Sequence, residues 1–154
     1  MRVLLKLTLD CTPDAAWRAL CNPLAIREID GPFAAIESLE PSGFPEVWDT
    51  EPHRVAVRAF DLLPIGEQEI HLSFSERSGA RILQDTGRPL SGALAVVTSW
   101  RHTMAVSPLD DGRTLYRDRL EFGAGVLTPA VWLGMWALWQ WRGFQLKRLS
   151  PRWR

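Results

Sequence analysis

Hydrophobic residues recur at every second position along most of this chain, a pattern typical of strands that bury one face. The pattern is clearest at the start, where Val3, Leu5, Leu7 and Leu9 share one face, and it resumes after each group of proline, glycine or aspartate residues. It predicts seven strands, at residues 3–9, 34–40, 55–63, 69–74, 81–86, 94–106 and 113–122.

Two short helices are predicted between the first strand and the second. Thr12-Pro13-Asp14 is a typical helix start, because a threonine hydroxyl can cap free N–H groups and proline lacks the N–H that would be unpaired at the first position. Asn22-Pro23 is expected to end this helix, and a second short helical segment is predicted over residues 24–28.

The last element is a long, tryptophan-rich helix predicted from about Thr128 to Leu149, with Thr128 as its cap and Pro129 at its first position. Residues 122–141 carry no charge, and this uncharged window is long enough to span a membrane. Glycine, threonine and proline interrupt the first part of that window, and residues 130–141 are too short to cross a bilayer unaided. We therefore expect a helix that covers the sheet of a soluble protein.

The order of the elements predicts the fold class. Consecutive strands joined by short turns are antiparallel, since a parallel pair needs a long crossover. We predict a single α+β domain over residues 1–154. In it, a seven-stranded, curved antiparallel sheet is wrapped around the long C-terminal helix, and two short helices follow the first strand. A space between sheet and helix is the expected place for a functional site.

Composition narrows the function classes. Basic and acidic residues balance at 18 each, so no overall positive field favours nucleic acid as a partner. Cys11 and Cys21 have neither a metal-binding nor a redox spacing, which favours a reducing compartment. Residues 1–6 lack a signal-peptide-like apolar run. These observations predict a cytoplasmic protein, and they leave the oligomeric state open.

The end of the chain is basic. No acid follows Glu121, whereas five basic residues do. Cations near a helix C-terminus interact favourably with the helix dipole, which explains the pattern without a partner. The alternative is peripheral contact with an anionic membrane or an acidic protein. The residues concerned are Arg142, Lys147, Arg148, Arg152 and Arg154.

The last predicted hairpin contains the best candidate for chemistry. If Ser107 pairs with Arg113 across the turn, His102 faces Asp118 on the side of the sheet that meets the helix. A shift of two residues would leave the pair diagonal but within reach. A carboxylate beside an imidazole fixes the ring's tautomer, as a general base requires. Equally, a buried histidine and a buried aspartate can simply satisfy each other's hydrogen bonds.

Large apolar side chains should surround this pair. On the same predicted face of the sheet lie Trp100, Met104, Tyr116 and Leu120, and the helix presents a stripe of aromatic and methionine residues at helical spacing. Such a stripe is either core or the wall of an apolar pocket. The predicted ligand-binding residues are Trp100, His102, Met104, Tyr116, Asp118, Leu120, Trp132, Met135, Trp136 and Trp139. We expect no metal site and no cofactor, because His53 and His71 are isolated and no phosphate-binding glycine motif is present.

Several short stretches are similar to the START/polyketide-cyclase superfamily, also called SRPBCC, and most closely to its uncharacterised bacterial members. They are residues 12–17, residues 63–66 with Glu69-Ile70, residues 100–102, residues 116–118 and residues 127–129. The resemblance covers about residues 3–149 and implies the helix-grip fold. The superfamily includes lipid carriers, hormone receptors and aromatic cyclases, so it implies a ligand cavity but no catalytic residue.

Three functions are therefore expected, in decreasing order of support. The first is binding or transport of a small hydrophobic or amphipathic ligand between sheet and helix. The second is an enzyme, such as a polyketide cyclase or aromatase, that uses His102 and Asp118. The third is an interaction module whose basic tail meets a protein or membrane. Since no nucleophile lies near the pair in sequence, a non-enzymatic role is favoured over catalysis.

Overall fold

The structure is a computed structural model, and it describes residues 1–153. Within that range, nine strands form two antiparallel sheets. The strands are β1 (Arg2–Leu9), β2 (Ala35–Ser38), β3 (His53–Ala59), β4 (Leu63–Ile70), β5 (Leu72–Arg77), β6 (Ala80–Asp85), β7 (Arg88–Pro89), β8 (Ser99–Pro108) and β9 (Thr114–Gly123). The helices are α1 (Pro13–Leu20), α2 (Pro23–Asp30) and α3 (Thr128–Leu149).

The two short helices follow from their caps. Thr12 Oγ1 accepts a hydrogen bond from the Ala15 amide at 3.3 Å, which opens α1 as predicted. Asn22 was expected to end α1, but its side chain also caps α2, accepting from the Leu24 amide at 2.8 Å. Because Asn22 and Pro23 supply a cap and a first-turn proline, α2 starts at Pro23 and runs to Asp30, further than predicted.

The long helix α3 spans Thr128–Leu149, as predicted, and has a proline in its first turn. The predicted role of Thr128 as its cap is wrong. The Thr128 hydroxyl faces backwards, accepting from the Ala124 amide at 2.8 Å and donating to the Gly125 carbonyl at 2.7 Å. It thereby closes a 3-10 turn at Gly125–Leu127, which sets the direction in which the chain enters α3.

The prediction of one seven-stranded sheet is wrong in strand number and in sheet number. One sheet has the order β1-β9-β8-β6-β5 and the other β2-β3-β4-β7. The predicted strand over residues 69–74 is divided between β4 and β5, which belong to different sheets. Apolar residues continue to alternate across this break, because β4 and β5 turn the same side towards the core. The hydrophobic pattern therefore could not show that the chain changes sheets here.

Asp85 holds the chain at this break. Its Oδ1 accepts from the His71 amide at 3.0 Å and from the Gly87 amide at 2.9 Å, while Oδ2 accepts from Trp100 Nε1 at 3.0 Å. A side chain at position 87 would overlap the Glu69 carbonyl, so only glycine fits there. The buried carboxylate thus replaces the ladder bonds that the chain loses where it changes sheets.

The hairpin of β8 and β9 has a register two residues away from the predicted one. His102 is opposite Leu120, and Met104 is opposite Asp118. A shift of two leaves every side chain on its predicted face, because side chains alternate with a period of two. The predicted start of this strand is also wrong, since residues 94–96 lie in a 3-10 helix at Gly92–Val96.

The core lies between the five-stranded sheet and the helices. One cluster joins the ends of α1, α2 and α3 to the sheet through side chains such as Leu20, Ile29, Leu83 and Leu146. A second cluster joins the middle of α3 to β1 and β9 through Trp139, Val3 and Leu120. No helix within residues 1–153 is long and apolar enough to span a membrane.

Candidate functional site

A cavity of about 220 Å³ lies between α3 and the two sheets. Its wall is apolar except for a few polar side chains, and α2, both sheets, the Gly92–Val96 turn and α3 all contribute to it. The polar groups that line it are Asp30, Gln68, Asp85, His102 and Arg142. Most of the apolar lining comes from Leu20, Ile26, Phe33, Ile36, Trp48, Val55, Val57, Ile65, Ile70, Leu72, Leu83, Leu94, Val97, Trp100, Met104, Met135, Leu138 and Trp139.

The structure brings five of the predicted ligand-binding residues to the cavity wall. They are Trp100, His102, Met104, Met135 and Trp139. Tyr116, Asp118 and Leu120 lie behind that wall, fully or almost fully buried. Helical spacing alone could not separate the faces of α3, because this helix is apolar nearly all the way round.

Two predicted residues lie outside the cavity. Trp136 is 46% exposed and is not part of the cavity wall. Trp132 donates from its indole nitrogen to the Arg2 carbonyl at 2.8 Å, so it holds α3 against the start of β1. A stripe drawn through positions 132, 136 and 139 therefore combines one exposed residue, one half-buried residue that packs beside β1 and one residue of the cavity.

Asp118 is the hub of a buried polar network. Its Oδ1 accepts from His102 Nε2 at 2.8 Å and from Trp139 Nε1 at 2.9 Å. Its Oδ2 accepts from the Tyr116 hydroxyl at 2.6 Å and from Arg142 Nε at 3.1 Å. Four donors occupy the lone pairs of an ionised carboxylate, so Asp118 has no position left for a ligand.

Arg142 is the part of this network that sequence reasoning missed. The sequence pattern places it in the basic tail, but only 2% of its surface is exposed. Its guanidinium donates to Asp118, to Asp30 at the end of α2 and to the Met104 sulfur, the last at 3.1 Å. The sequence did contain a signal of this burial, because Arg142 lies within an apolar helix and is followed by Gly143.

The remaining basic residues do fit an exposed tail. Lys147, Arg148 and Arg152 are exposed at the end of the chain, and Arg154 lies outside the described residues. With Arg142 removed from the group, fewer charges are available for the membrane or protein contact expected from the sequence.

The pKa values of the network follow from burial and charge. Burial alone would raise the pKa of Asp118, but His102, Arg142 and the Tyr116 hydroxyl hold it below its ordinary value. Burial raises the pKa of Tyr116 well above its usual value, and the Asp118 charge raises it further. Burial would lower the pKa of Arg142, yet Asp30, Tyr116 and Asp118 raise it. Asp118 and Arg142 are therefore both charged at neutral pH.

His102 presents one nitrogen to the network and keeps the other available. Because an ionised carboxylate only accepts, Nε2 must carry the hydrogen that is directed at Asp118. Nδ1 makes no hydrogen bond with another residue in the range 1–153, and the ring lines the cavity. The ring of Trp139 meets it edge-on, with 5.1 Å between centroids, and keeps it in place. Nδ1 is thus the His102 atom that can form a hydrogen bond with an occupant of the cavity.

The described lining limits the chemistry. It contains no serine, threonine, cysteine, lysine or tyrosine side chain that could serve as a nucleophile. Within residues 1–153, no group of three or more histidine, cysteine or acidic side chains is arranged to hold a metal ion. The polar end of the cavity can donate and accept hydrogen bonds, and the apolar wall keeps water away from it.

An apolar groove lies outside the cavity, along the outer face of α3. We call it the outer groove. It shares Phe33, Met135 and Leu138 with the cavity wall, and the Phe33 ring meets Phe60 and Trp141 edge-on at 5.4 and 5.0 Å. Its lining is Phe33, Phe60, Val131, Gly134, Met135, Ala137, Leu138, Gln140, Trp141 and Phe144.

Comparison with known proteins supports the fold alone. No family model matches the chain, and no curated protein matches it. A structural-genomics protein from Chromobacterium violaceum is 19% identical with a TM-score of 0.67, covering 97% of this chain and 96% of its own. A hypothetical protein from Helicobacter pylori is 15% identical with a TM-score of 0.70, covering 97% and 88%.

A third similar structure is a point mutant of norcoclaurine synthase from Thalictrum flavum, in complex with a transition-state analogue. It is 14% identical with a TM-score of 0.62, covering 99% of this chain and 94% of its own. Together these structures agree with a helix-grip, Bet v1-like α+β fold. The resemblance to SRPBCC proteins is thus supported at the level of the fold, and no comparison names that superfamily.

Proposed function

We propose that this protein binds a small hydrophobic or amphipathic molecule in the cavity between its sheets and α3. The observation that carries the proposal is the composition of the wall: apolar side chains from both sheets and α3, with a polar end formed by Asp85, His102 and Arg142. Removing apolar surface from water would drive binding, and the polar end would orient the ligand.

The packing of the polar end supports this role. Trp139 and Asp118 hold the His102 ring, and the Asp85 carboxylate is fixed by three N–H donors. Groups fixed in this way lose little conformational entropy when a ligand arrives. The fold comparisons are compatible with a ligand-binding domain, since one similar structure is a complex with a transition-state analogue.

Binding can be tested with N-phenyl-1-naphthylamine, an uncharged fluorophore that brightens in apolar sites. We expect a saturable signal with one site per chain and quenching of the tryptophans that line the cavity, Trp48, Trp100 and Trp139. Val57→Phe places a ring in the cavity and should weaken binding at least tenfold. Val47→Phe adds the same ring at an exposed position and is the matched control.

Circular dichroism would verify that both variants fold. A probe that binds wild type and Val57→Phe with equal affinity would contradict the proposal, as would absence of saturable binding. Native mass spectrometry of the freshly purified protein, with organic extraction, would identify a molecule that co-purifies.

Catalysis at His102 is the second candidate, because this ring lines the cavity with Nε2 held by Asp118. Such a histidine could act as a general base through Nδ1 on a bound substrate. The test is turnover of aromatic polyketide or aldehyde substrates by wild type and His102→Gln. Turnover that disappears in a His102→Gln protein with unchanged fluorophore affinity would favour the enzyme over the carrier.

A further inference from the structure

The exposed surface of α3 is apolar over most of its length. Between positions 129 and 144, the one hydrophilic side chain that this helix exposes is that of Gln140. Leu133, Trp136 and Phe144 are 61%, 46% and 58% exposed. The other exposed residues in this range are Pro129, Ala130, Gly134 and Ala137. None of these eight residues lines the cavity, so its wall does not account for them.

These eight residues form one continuous stripe, which we call the α3 face. They follow one another at intervals of three or four residues, the spacing that places side chains on the same side of a helix. Ala130 and Phe144 lie about 21 Å apart along the helix axis. A single exposed leucine is ordinary on a protein surface, whereas a contiguous apolar patch marks an interaction site.

The apolar surface continues beyond the helix at two places. Val126 and Leu127 are exposed in the turn that immediately precedes α3. Phe60 is exposed beside the helix, where it lines the outer groove together with Gly134 and Phe144. The apolar surface is therefore wider than the helix and extends past its N-terminal end.

Positive charge follows the apolar stripe at its C-terminal end. Lys147 and Arg148 are exposed and come three and four residues after Phe144, so they continue the α3 face. None of the residues of α3, all of which the structure describes, is acidic. Asp61, which follows Phe60, is an exposed acid at the edge of the apolar surface, far along it from the two cations in sequence. The C-terminal end of the face therefore offers cations to an anionic partner.

A second copy of this chain fits the α3 face less well than an anionic surface does. In a two-fold dimer the same face lies on both sides of the contact. With the helices antiparallel, the cations of one copy would lie on apolar residues of the other, and with the helices parallel, cations would meet cations. Either way Lys147 and Arg148 would lose water without a counter-charge from the helix.

We propose that the α3 face docks this protein onto an anionic membrane surface. The N-terminal part of α3, with Val126 and Leu127, enters the boundary between head groups and acyl chains, while Lys147 and Arg148 meet lipid phosphates. Trp136 lies between these ends, and tryptophan favours the membrane interface. This inference goes beyond the proposed function, because the α3 face lies outside the cavity.

Co-sedimentation with vesicles tests the proposal. One set of vesicles contains phosphatidylcholine alone, and the other contains phosphatidylcholine with phosphatidylglycerol. Each lysine or arginine beside an anionic surface adds about fivefold to the partition coefficient, so wild type should bind the anionic vesicles about tenfold or more tightly. High salt should reduce this preference, because it screens the charges.

The apolar part of the face is tested by Leu133→Gln/Phe144→Gln. Glutamine is a good helix former, so α3 should persist. Loss of two apolar side chains from the contact should weaken binding to anionic vesicles by about tenfold or more. Leu4→Gln/Val47→Gln is the matched control, since these two residues are 57% and 58% exposed and lie outside α3. It should bind like wild type.

The cationic part is tested by Lys147→Gln/Arg148→Gln. This variant should lose about tenfold or more in binding to anionic vesicles and little in binding to phosphatidylcholine. Arg101→Gln/Arg117→Gln makes the same change in net charge at exposed positions of β8 and β9 and should bind like wild type. Circular dichroism verifies folding, and the two face variants keep the test valid if one of them fails to fold.

The outcomes are distinct. Equal binding to the two vesicle compositions, absence of vesicle binding, or equal losses in the face variants and their controls would overturn membrane docking. A wild-type dimer in sedimentation equilibrium that dissociates in Leu133→Gln/Phe144→Gln would assign the α3 face to a second copy instead. Binding of N-phenyl-1-naphthylamine is measured without vesicles, so the proposed function of the cavity stands or falls separately.

Discussion

Arg142 donates through Nε to Oδ2 of Asp118 at 3.1 Å, and the two residues join α3 to β9 in the interior of the protein. The same guanidinium reaches Asp30 at the end of α2. Three elements distant in sequence are therefore connected by one side chain. Because Arg142 is buried at the polar end of the cavity, it holds these elements together and also places a positive charge beside the cavity.

Removal of Arg142 should destabilise the fold strongly. Arg142→Met keeps much of the side-chain volume but leaves Asp118 and Asp30 without their cation, at a cost of about 3–5 kcal/mol in the free energy of unfolding. Urea denaturation at pH 7 measures this. Arg148→Met, at an exposed position of the same helix, should change stability by less than about 0.5 kcal/mol. Equal effects of the two substitutions would contradict the network.

Removal of His102 should cost less. In His102→Ala, Asp118 keeps the donors from Trp139, Tyr116 and Arg142, so we expect a loss of about 1–3 kcal/mol. The comparison with Arg142→Met, under the same urea conditions, is the informative one. A His102→Ala protein less stable than Arg142→Met would mean that the imidazole, and not the guanidinium, is the main partner of Asp118.

The network should make stability fall in acid. The pKa of Asp118 is lower in the folded protein than in the unfolded chain, so as pH falls the unfolded chain binds this proton first. The stabilisation is present above the ordinary aspartate pKa, about pH 4, and is lost below it. Urea midpoints from pH 7 to pH 3 should fall more steeply in wild type than in Asp118→Asn. Parallel curves would contradict this assignment.

Two glycines of α3 should respond differently to alanine. Gly134 faces open space, so Gly134→Ala should raise the free energy of unfolding by about 0.5–1 kcal/mol through helix propensity. At Gly143 a Cβ would lie 3.1 Å from a Leu5 methyl group, which should cancel part or all of that gain. Thermal melts of the two variants test this. A larger gain at Gly143 would contradict the close contact between α3 and β1.

The buried cysteine should be unreactive in the folded protein. Burial raises the pKa of the Cys21 thiol to about 11, so little thiolate is present at pH 8. In a Cys11→Ser background, iodoacetamide should label Cys21 slowly in buffer and rapidly in urea, as followed by mass spectrometry. Rapid labelling without denaturant would show that the packing around α1 opens readily.

Local patterns predicted much of the fold because they report local physics. Alternation located the faces of β1, β8 and β9, and a threonine followed by a proline located the starts of α1 and α3. The face that carries His102 and Asp118 was predictable for the same reason. Side chains alternate between the two faces of a strand, so a register shift of two residues leaves each one on its predicted face. Whether those residues line a cavity or lie behind its wall depends on distances between elements.

The sequence by itself determined the α+β class, the two short helices after the first strand, the long helix after the last strand, and the side of the hairpin on which a histidine and an aspartate meet. Only the tertiary structure decided that the strands form two sheets, that Asp85 holds the break between them and that Arg142 is buried. The physical reason is that periodicity records only which side of an element avoids water. Contacts between residues far apart in the chain decide which strands pair, whether a given charge is buried and which face of an apolar helix meets the core.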